Sequence, residues 1–384
     1  MAEAFIVDAV RTPTGRKGGG LSGVHPVDIG AHVLAAIVDR TGIDPAAVDD
    51  VIFGCVGQIG AQAWNVGRNA WLSAGLPEEV PAVTIDRQCG SSQQAVHFAA
   101  QGVMAGVYDL AIAGGVEVMS LVTLNSSGAL GPDLGMRYPF DGDGWLKRFG
   151  DQEIHQFRGG EMIAQKWDIS REEMERLALA SHQKAARAWE EGRFDTEVVP
   201  HGDCARDEGV RPDTTLDKMA TLAPLLGEGG RLTAATSSQI ADGAAAVLVA
   251  SEAAVERFDL TPRARIHTMA VVGSDPVLIL TGPISSTAKA IDRSGLSIDD
   301  IDVFECNEAF ASVVIAWSRE TGAPLERTNV NGGAMALGHP LGASGAKLMT
   351  TLLNELERGG GRYGLQTMCE GGGLSNATII ERVA

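Results

Sequence analysis

No two cysteines in this chain stand at C-x-x-C spacing, and no H-E-x-x-H occurs. The five cysteines, Cys55, Cys89, Cys204, Cys306 and Cys369, are odd in number. A disulfide framework and a structural zinc centre are therefore not expected, and a reducing compartment is. No apolar run reaches the about 18–20 residues of a membrane span. Met1 to Arg11 lacks the basic start and long apolar core of a signal peptide. The closing Glu381-Arg382-Val383-Ala384 is not a peroxisomal S-K-L address. A cytoplasmic protein with no membrane partner is expected. Positive charge is also short. Lys and Arg number 31 against 49 Asp and Glu, a net charge of −18. This excess of acid argues against nucleic acid or an anionic membrane as partner. It leaves room for a small anion held by a local basic cluster.

Glycine is plentiful, at 48 of 384 residues. Glycine accepts positive φ and lets another surface come close. The length allows two or more domains with cores of their own. Phe5 to Val10 reads as an opening strand, and Val27 to Val38 has helical spacing of apolar residues. Val48 to Val56 reads as a buried strand of the parallel type. A helix over 65–74 is stopped by Gly75-Leu76-Pro77. Ala82 to Asp86 is a strand, Gln94 to Met104 an apolar helix, and Tyr108 to Gly115 a further strand. This alternation predicts an α/β architecture with a mostly parallel, covered sheet. From about Met119 to Arg231 the helices become charged, as in Arg171 to Ala178, and an inserted helix-rich segment is expected. Regular α/β texture resumes at Ile240 to Ala250.

Part of the chain repeats. Ala36-Ile37-Val38-Asp39-Arg40-Thr41-Gly42-Ile43 precedes Val51-Ile52-Phe53-Gly54-Cys55. Ala290-Ile291-Asp292-Arg293-Ser294-Gly295-Leu296 precedes Val303-Phe304-Glu305-Cys306. The separation, about 250 residues, far exceeds a solenoid period, so two duplicated domains are expected.

Four places carry chemistry. His339 sits in the glycine-rich stretch Asn329 to Gly345, just before a helix-forming run from Ala346 to Leu353. Free N–H groups at such a helix start can meet a polar ligand. Cys89 lies between a strand and a helix, where the helix dipole would favour thiolate. Most free cysteines are simply small buried hydrophobes. Cys55 fits that description as a strand residue, and Cys204 fits no site. Cys369 ends a strand and is followed by Glu370-Gly371-Gly372-Gly373, where backbone N–H groups can face an oxyanion. Asn307 closes another strand, where it can also cap the next helix. The ends of strands in an α/β sheet are where active sites form.

At these residues the chain resembles the thiolase family over essentially its whole length. The matching motifs are Cys89 with Gly90-Ser91-Ser92-Gln93-Gln94-Ala95, Gly114-Gly115-Val116-Glu117-Val118-Met119-Ser120 and Asp242-Gly243-Ala244-Ala245. Asn307-Glu308-Ala309-Phe310-Ala311, Gly338 to Gly345 and Cys369 to Gly373 complete the set. Such ordered motifs are far more specific than any one alone.

The resemblance implies two duplicated α/β domains in α-β-α-β-α layers. The first spans 1–119 with 240–262, the second 263–384, and 120–239 is an inserted loop domain that holds coenzyme A. It implies an acyltransferase that cleaves 3-ketoacyl-CoA through a Cys89 acyl-enzyme. His339 is then the base for Cys89, and Cys369 moves the proton at carbon. Asn307, holding a water, and His339 make one oxyanion site, and the N–H groups of Cys89 and Gly371 the other. Ser238 aligns with a pantetheine contact and Arg211 with a nucleotide contact. Coenzyme A is a co-substrate, with no permanent cofactor and no metal. A homodimer or homotetramer is expected.

Departures from the family pattern bear on the substrate. His155-Gln156-Phe157 stands where acetoacetyl-specific members carry His-Met-Gly. The stretch looks more like mycobacterial thiolases acting on steroid side chains, so a bulky acyl group and a degradative direction are expected, with Gln156, Phe157 and Phe310 among the residues that bind substrate or coenzyme A. Ser375 replaces a more usual glycine, and Glu370 places a carboxylate beside Cys369, which like-charge repulsion would push up. The alternatives are a biosynthetic acetyl-CoA acetyltransferase, a thiolase-like lipid carrier without turnover, and a decarboxylating ketosynthase. Retention of Asn307, His339 and both cysteines disfavours the carrier, and a cysteine at 369 disfavours the ketosynthase.

Overall fold

The structure is a computed structural model that describes residues 2–383. Its strands are β1 (Ala4–Arg11), β2 (Asp50–Gly54), β3 (Ala82–Ile85), β4 (Leu110–Val118), β5 (Ala241–Ser251), β6 (Ala264–Gly273), β7 (Val303–Cys306), β8 (Tyr363–Glu370) and β9 (Leu374–Arg382). With the two-residue Gly15–Arg16, which pairs with β5, they make one ten-stranded sheet in the order β3-β2-β4-β5-β1-β6-β9-β8-β7. The principal helices are α1 (Pro26–Thr41), α2 (Val66–Ser73), α3 (Ser91–Met104), α4 (Gln156–Lys166), α5 (Arg171–Glu190), α6 (Gly282–Ser294), α7 (Ala311–Thr321) and α8 (Ser344–Gly359).

The duplication is written in the strand order. The first half reads third, second, fourth, fifth, first. The second half repeats this as β7-β8-β9-β6, lacking only a full third strand. Its remnant is a parallel bridge between Phe304 and Thr328. In each half the fifth strand, β5 or β9, runs antiparallel to both neighbours. The sheet is therefore mixed. Its parallel pairs, β2 with β3, β2 with β4 and β7 with β8, lie toward the two outer ends. The halves touch through Phe5–Arg265 and Ile6–Ala264. The repeated D-R-x-G turns end α1 and α6. Gly42 (φ 64°) and Gly295 (φ 73°) supply the left-handed cap that a side chain would resist.

Five layers follow from the packing. On the outer face of the first half, Ile29, Val33, Ile37 and Trp71 of α1 and α2 meet Val51, Phe53 and Leu248. Between the halves, Val96 and Ala99 of α3 and Met349 and Leu352 of α8 share a core with Val247, Ile266 and Ile380. On the far face, Ala290, Val314 and Trp317 of α6 and α7 meet Phe304 and Ile379. The central helix α8 is covered all round over most of its length. In α8 every residue from Ser344 to Leu356 is buried, so its polar side chains must find partners inside.

The segment between β4 and β5 carries α4 and α5. Ile163, Met174 and Ala178 pack it against Phe310 and Val313 of the second half. Arg11, fully buried at the end of β1, ties it to the first half through Glu197 at 2.6 Å and Asp207 at 2.8 Å. No helix among the described residues is long and apolar enough to cross a membrane.

Candidate active site

Cys89 sits in the short turn between β3 and α3. Gln88 before it has φ 51°, a left-handed conformation that costs a side chain energy. Asp86 holds it there, its Oδ1 accepting from the Gln88 N–H at 2.6 Å. The strained turn aims the Cys89 side chain into a cleft of about 190 Å³. His339, Ser238, Phe310, Gln156, Phe157 and Gly371 line the same cleft. Cys369 is the penultimate residue of β8 and Asn307 follows β7, and both are buried beside it.

The His339 ring is oriented from behind. Ser344 donates its hydroxyl to the Pro340 carbonyl at 2.8 Å. Its oxygen then accepts from His339 Nδ1 at 2.5 Å. That assigns the proton to Nδ1 and leaves Nε2 unprotonated, as an acceptor. Asn307 Nδ2 lies 3.4 Å from that Nε2. Burial, with the Lys347 charge nearby, pushes His339 down to about 3, so the resting ring is neutral. Ser344 carried no motif signal beyond lying within the glycine-rich stretch.

Burial raises the Cys89 thiol well above its ordinary range, and Cys369 and Glu370 raise it further. The dipole argument for a resting Cys89 thiolate is thus overturned, because desolvation outweighs one helix terminus. Cys369 is also pushed up by burial, to about 12, against the pull of a hydrogen bond from Asn307. Glu370 contributes to this, but less than burial does. The resting centre holds two thiols and a neutral imidazole.

Two carboxylates in the quoted motifs build the site without entering it. Glu117 accepts from the N–H groups of Val56, Gly57 and Gly342 at 2.9, 3.0 and 2.9 Å, and from Gln62 Nε2 at 2.7 Å. It pins the glycine-rich loop of the second half onto the first. The approach demands glycine, since a Cβ on Gly115 would lie 2.1 Å from the Gly342 carbonyl oxygen. Glu308 accepts from Asn329 Nδ2, Ser181 Oγ and the Met335 N–H at 3.0, 2.8 and 3.1 Å. Asn329 in turn brackets Cys306, accepting from its N–H and donating to its carbonyl, each at 2.9 Å. These links fix Asn307 relative to His339.

Arg211 is not in the Cys89 cleft. It lines a neighbouring pocket of about 450 Å³ with His182, Lys218, Met219 and Leu222. Gln239 borders both spaces, and its carbonyl accepts the His339 N–H at 3.1 Å. Two cations at one pocket in an acidic chain suit an anionic ligand. Lys218 and Gln239 escaped the sequence reading, as nothing local marks them. Phe157 stacks edge-on to Phe310, with ring centres 5.5 Å apart, on one wall of the Cys89 cleft.

Paired thiols, an oriented imidazole and an amide at strand ends of a duplicated α/β fold define a class. Residues 4–253 match the thiolase N-terminal domain and residues 260–382 the thiolase C-terminal domain. The chain belongs to the thiolase family. Among its relatives, the steroid 3-ketoacyl-CoA thiolase FadA6 of Mycobacterium tuberculosis is 58% identical, covering 100% of this chain and 95% of the relative. A 3-ketoacyl-CoA thiolase of Aliivibrio salmonicida is 42% identical over the full length of both. The solved structure of human mitochondrial 3-ketoacyl-CoA thiolase in complex with CoA superposes with a TM-score of 0.90 at 37% identity, covering 100% of this chain and 98% of that one.

Proposed function

We propose that the chain is a degradative thiolase that cleaves 3-ketoacyl-CoA with coenzyme A, giving acetyl-CoA and a shortened acyl-CoA. The observation that carries this reading is the meeting of two buried thiols with an imidazole whose Nε2 is unprotonated. His339 Nε2 takes the Cys89 proton as sulfur attacks the ketone carbon. The bond between C2 and C3 breaks, its electron pair passes to C2, and Cys369 gives that carbon its proton. Cys369, now a thiolate, takes the proton of incoming coenzyme A. The new thiolate attacks the Cys89 thioester, and Cys89 leaves with the proton held by His339. The oxyanions fall to Asn307 with His339, and to the N–H groups of Cys89 and Gly371. Burial of both thiols fits this division, since neither needs to be charged until substrate arrives.

The inserted segment 120–239, between domains 1–119 with 240–262 and 263–384, supplies the coenzyme A side. Arg211 and Lys218 suit its phosphates, and Ser238 and Gln239 stand between that pocket and Cys89. No permanent cofactor enters the scheme. A bulky acyl group is the preferred substrate. The Cys89 cleft adjoins a chamber of about 430 Å³ lined by Val122 and Pro139, and Leu124, Tyr138 and Phe140 border both spaces. The five thiols are free, which suits the cytoplasm. The working form is a homodimer or a dimer of dimers. β3 is an unpaired sheet edge, with Val83 41% and Phe98 40% exposed beside it, a surface that a second copy would cover.

The test is thiolysis by the purified chain across a panel from acetoacetyl-CoA to long-chain and polycyclic 3-ketoacyl-CoA. The highest kcat/KM is expected at the bulky end. Acetoacetyl-CoA as much the best substrate would overturn the substrate reading, and no turnover on any would overturn the enzyme.

A further inference from the structure

Glu370 presents an anomaly beneath the nucleophile. It is fully buried at the end of β8, and neither carboxyl oxygen has a hydrogen-bond partner of good geometry; the one donor that approaches is the Asn376 backbone N–H. An ionised carboxylate in that position would be left without the donors a buried charge requires. A few ångströms away, Asn376 Nδ2 donates to the Gly90 carbonyl at 3.0 Å, while its Oδ1 is buried with no donor. Both side chains crowd the residue after the nucleophile. A Cβ on Gly90 would lie 2.0 Å from Glu370 Oε1 and 2.8 Å from Asn376 Nδ2. The cluster has too many acceptors, and one proton on Glu370 supplies the missing donor.

We propose that Glu370 is a positioning residue, acting as a neutral carboxylic acid that, with Asn376, holds Gly90 and thereby the Cys89 turn in place. The proposal rests on the reading of Cys89 as the acylated residue. The charged and titratable groups facing the carboxyl are Arg87 and Asp86 on the nucleophile turn, Cys89 itself and Cys369 on β8. Arg87 makes no ion pair with Glu370 within 4.0 Å, and its Nε is itself unpartnered. Burial holds the Glu370 carboxyl up at about 8, against the pull of Arg87. Above that pH a negative charge develops beneath two thiols, and each becomes harder to ionise. The acid expected from sequence to repel Cys369 is, on this view, silent at neutral pH and repels only in alkali.

The experiment is single-turnover acetylation of Cys89 by acetyl-CoA, read by intact and peptide mass, from about pH 6.5 to about pH 9.5. Above about pH 8 the wild-type rate should rise less steeply than that of E370Q, whose amide still donates. The ratio of the two rates should grow to about tenfold at the alkaline end, the effect of one unit of thiol pKa. E370I, which leaves Asn376 without a donor, should be slow at every pH, with Gln restoring the rate. A constant ratio of E370Q to wild type overturns the proposal. So does a wild-type rate that climbs as steeply above about pH 8 as below it, a result independent of whether any variant folds. Absence of the mass shift on Cys89 at every pH instead defeats the proposed function.

Discussion

The two halves of this molecule use the same position differently. In the first half, five residues, Asp86 to Gly90, join the third strand to its central helix, and they carry Cys89. In the second half the third strand shrinks to one bridge at Thr328, and the residues up to Ser344 form a long loop that carries His339. The proposed nucleophile and the proposed base thus stand at equivalent points of a duplicated fold. The short loop is held largely within itself, Asp86 Oδ1 accepting from the strained Gln88 N–H at 2.6 Å, with one contact across the seam from Asn376 Nδ2 to the Gly90 carbonyl at 3.0 Å. The long loop depends more heavily on contacts from the other half, Glu117 above all. Duplication gave the two groups equivalent positions, and divergence of loop length shifted positioning from local bonds toward contacts between the halves.

The sharpest break in this comparison is Cys89→Ala. The short loop keeps its shape but loses its nucleophile. Thiolysis should fall by about 10⁴-fold or more, and no acyl mass should appear on the protein. The Cys369→Ala variant should still take the acyl group but not turn over. An acylated Cys89→Ala protein would remove the short loop from the chemistry. In the long loop the corresponding change is smaller. Ser344→Ala removes the acceptor that keeps the proton on His339 Nδ1. A loss of kcat of about 10- to 100-fold is expected with little change in the KM for coenzyme A. A rise in KM alone would mean that Ser344 shapes binding instead.

The seam between the halves is the third place to press. Gly115→Ala sets a methyl group against the Gly342 carbonyl, and the long loop must retreat. Stability should drop by about 1–3 kcal/mol in denaturant unfolding. Activity should fall further than the mirror change in an outer-face glycine such as Gly30, where the nearest neighbour is the Ala70 methyl. Equal losses would mean that the seam does not position His339.

Much of this was legible in the chain. Cys89, Asn307 and Cys369 stand where a strand gives way to a turn, His339 stands in a glycine-rich loop before a helix, and their flanking small residues mark the break. The D-R-x-G turns marked the duplication because a left-handed cap needs glycine in both copies. What stayed hidden was action at a distance. Glu117 meets Gly342 across 225 residues, and nothing at either position announces the other. The antiparallel course of β5 was equally hidden, since Gly243 to Ala250 is apolar throughout and an apolar run has no direction. The resting charge of Cys89 was misjudged because local sequence reports the helix terminus but not the depth of burial.

The smallest predicted effect compares the two buried histidines. His339 belongs to the long loop, and His97 to α3, where its Nε2 lies 2.7 Å from Thr378 Oγ1. Burial pushes both down to about 3. Each ring binds its proton more readily when the chain unfolds, where its pKa is near 6.5. Their neutral forms therefore favour the folded state fully above pH 6.5. That contribution is lost progressively as pH falls from there toward 3. Acid groups with raised values act in the opposite sense, so the whole-protein curve does not isolate the effect, but a difference does. His97→Gln should melt close to wild type at pH 7, then gain on it as pH falls to 5, by up to about 2 kcal/mol. Parallel melting curves would mean that His97 reaches solvent or a partner when protonated. The central helix would then tolerate a charge that the long loop at His339 does not.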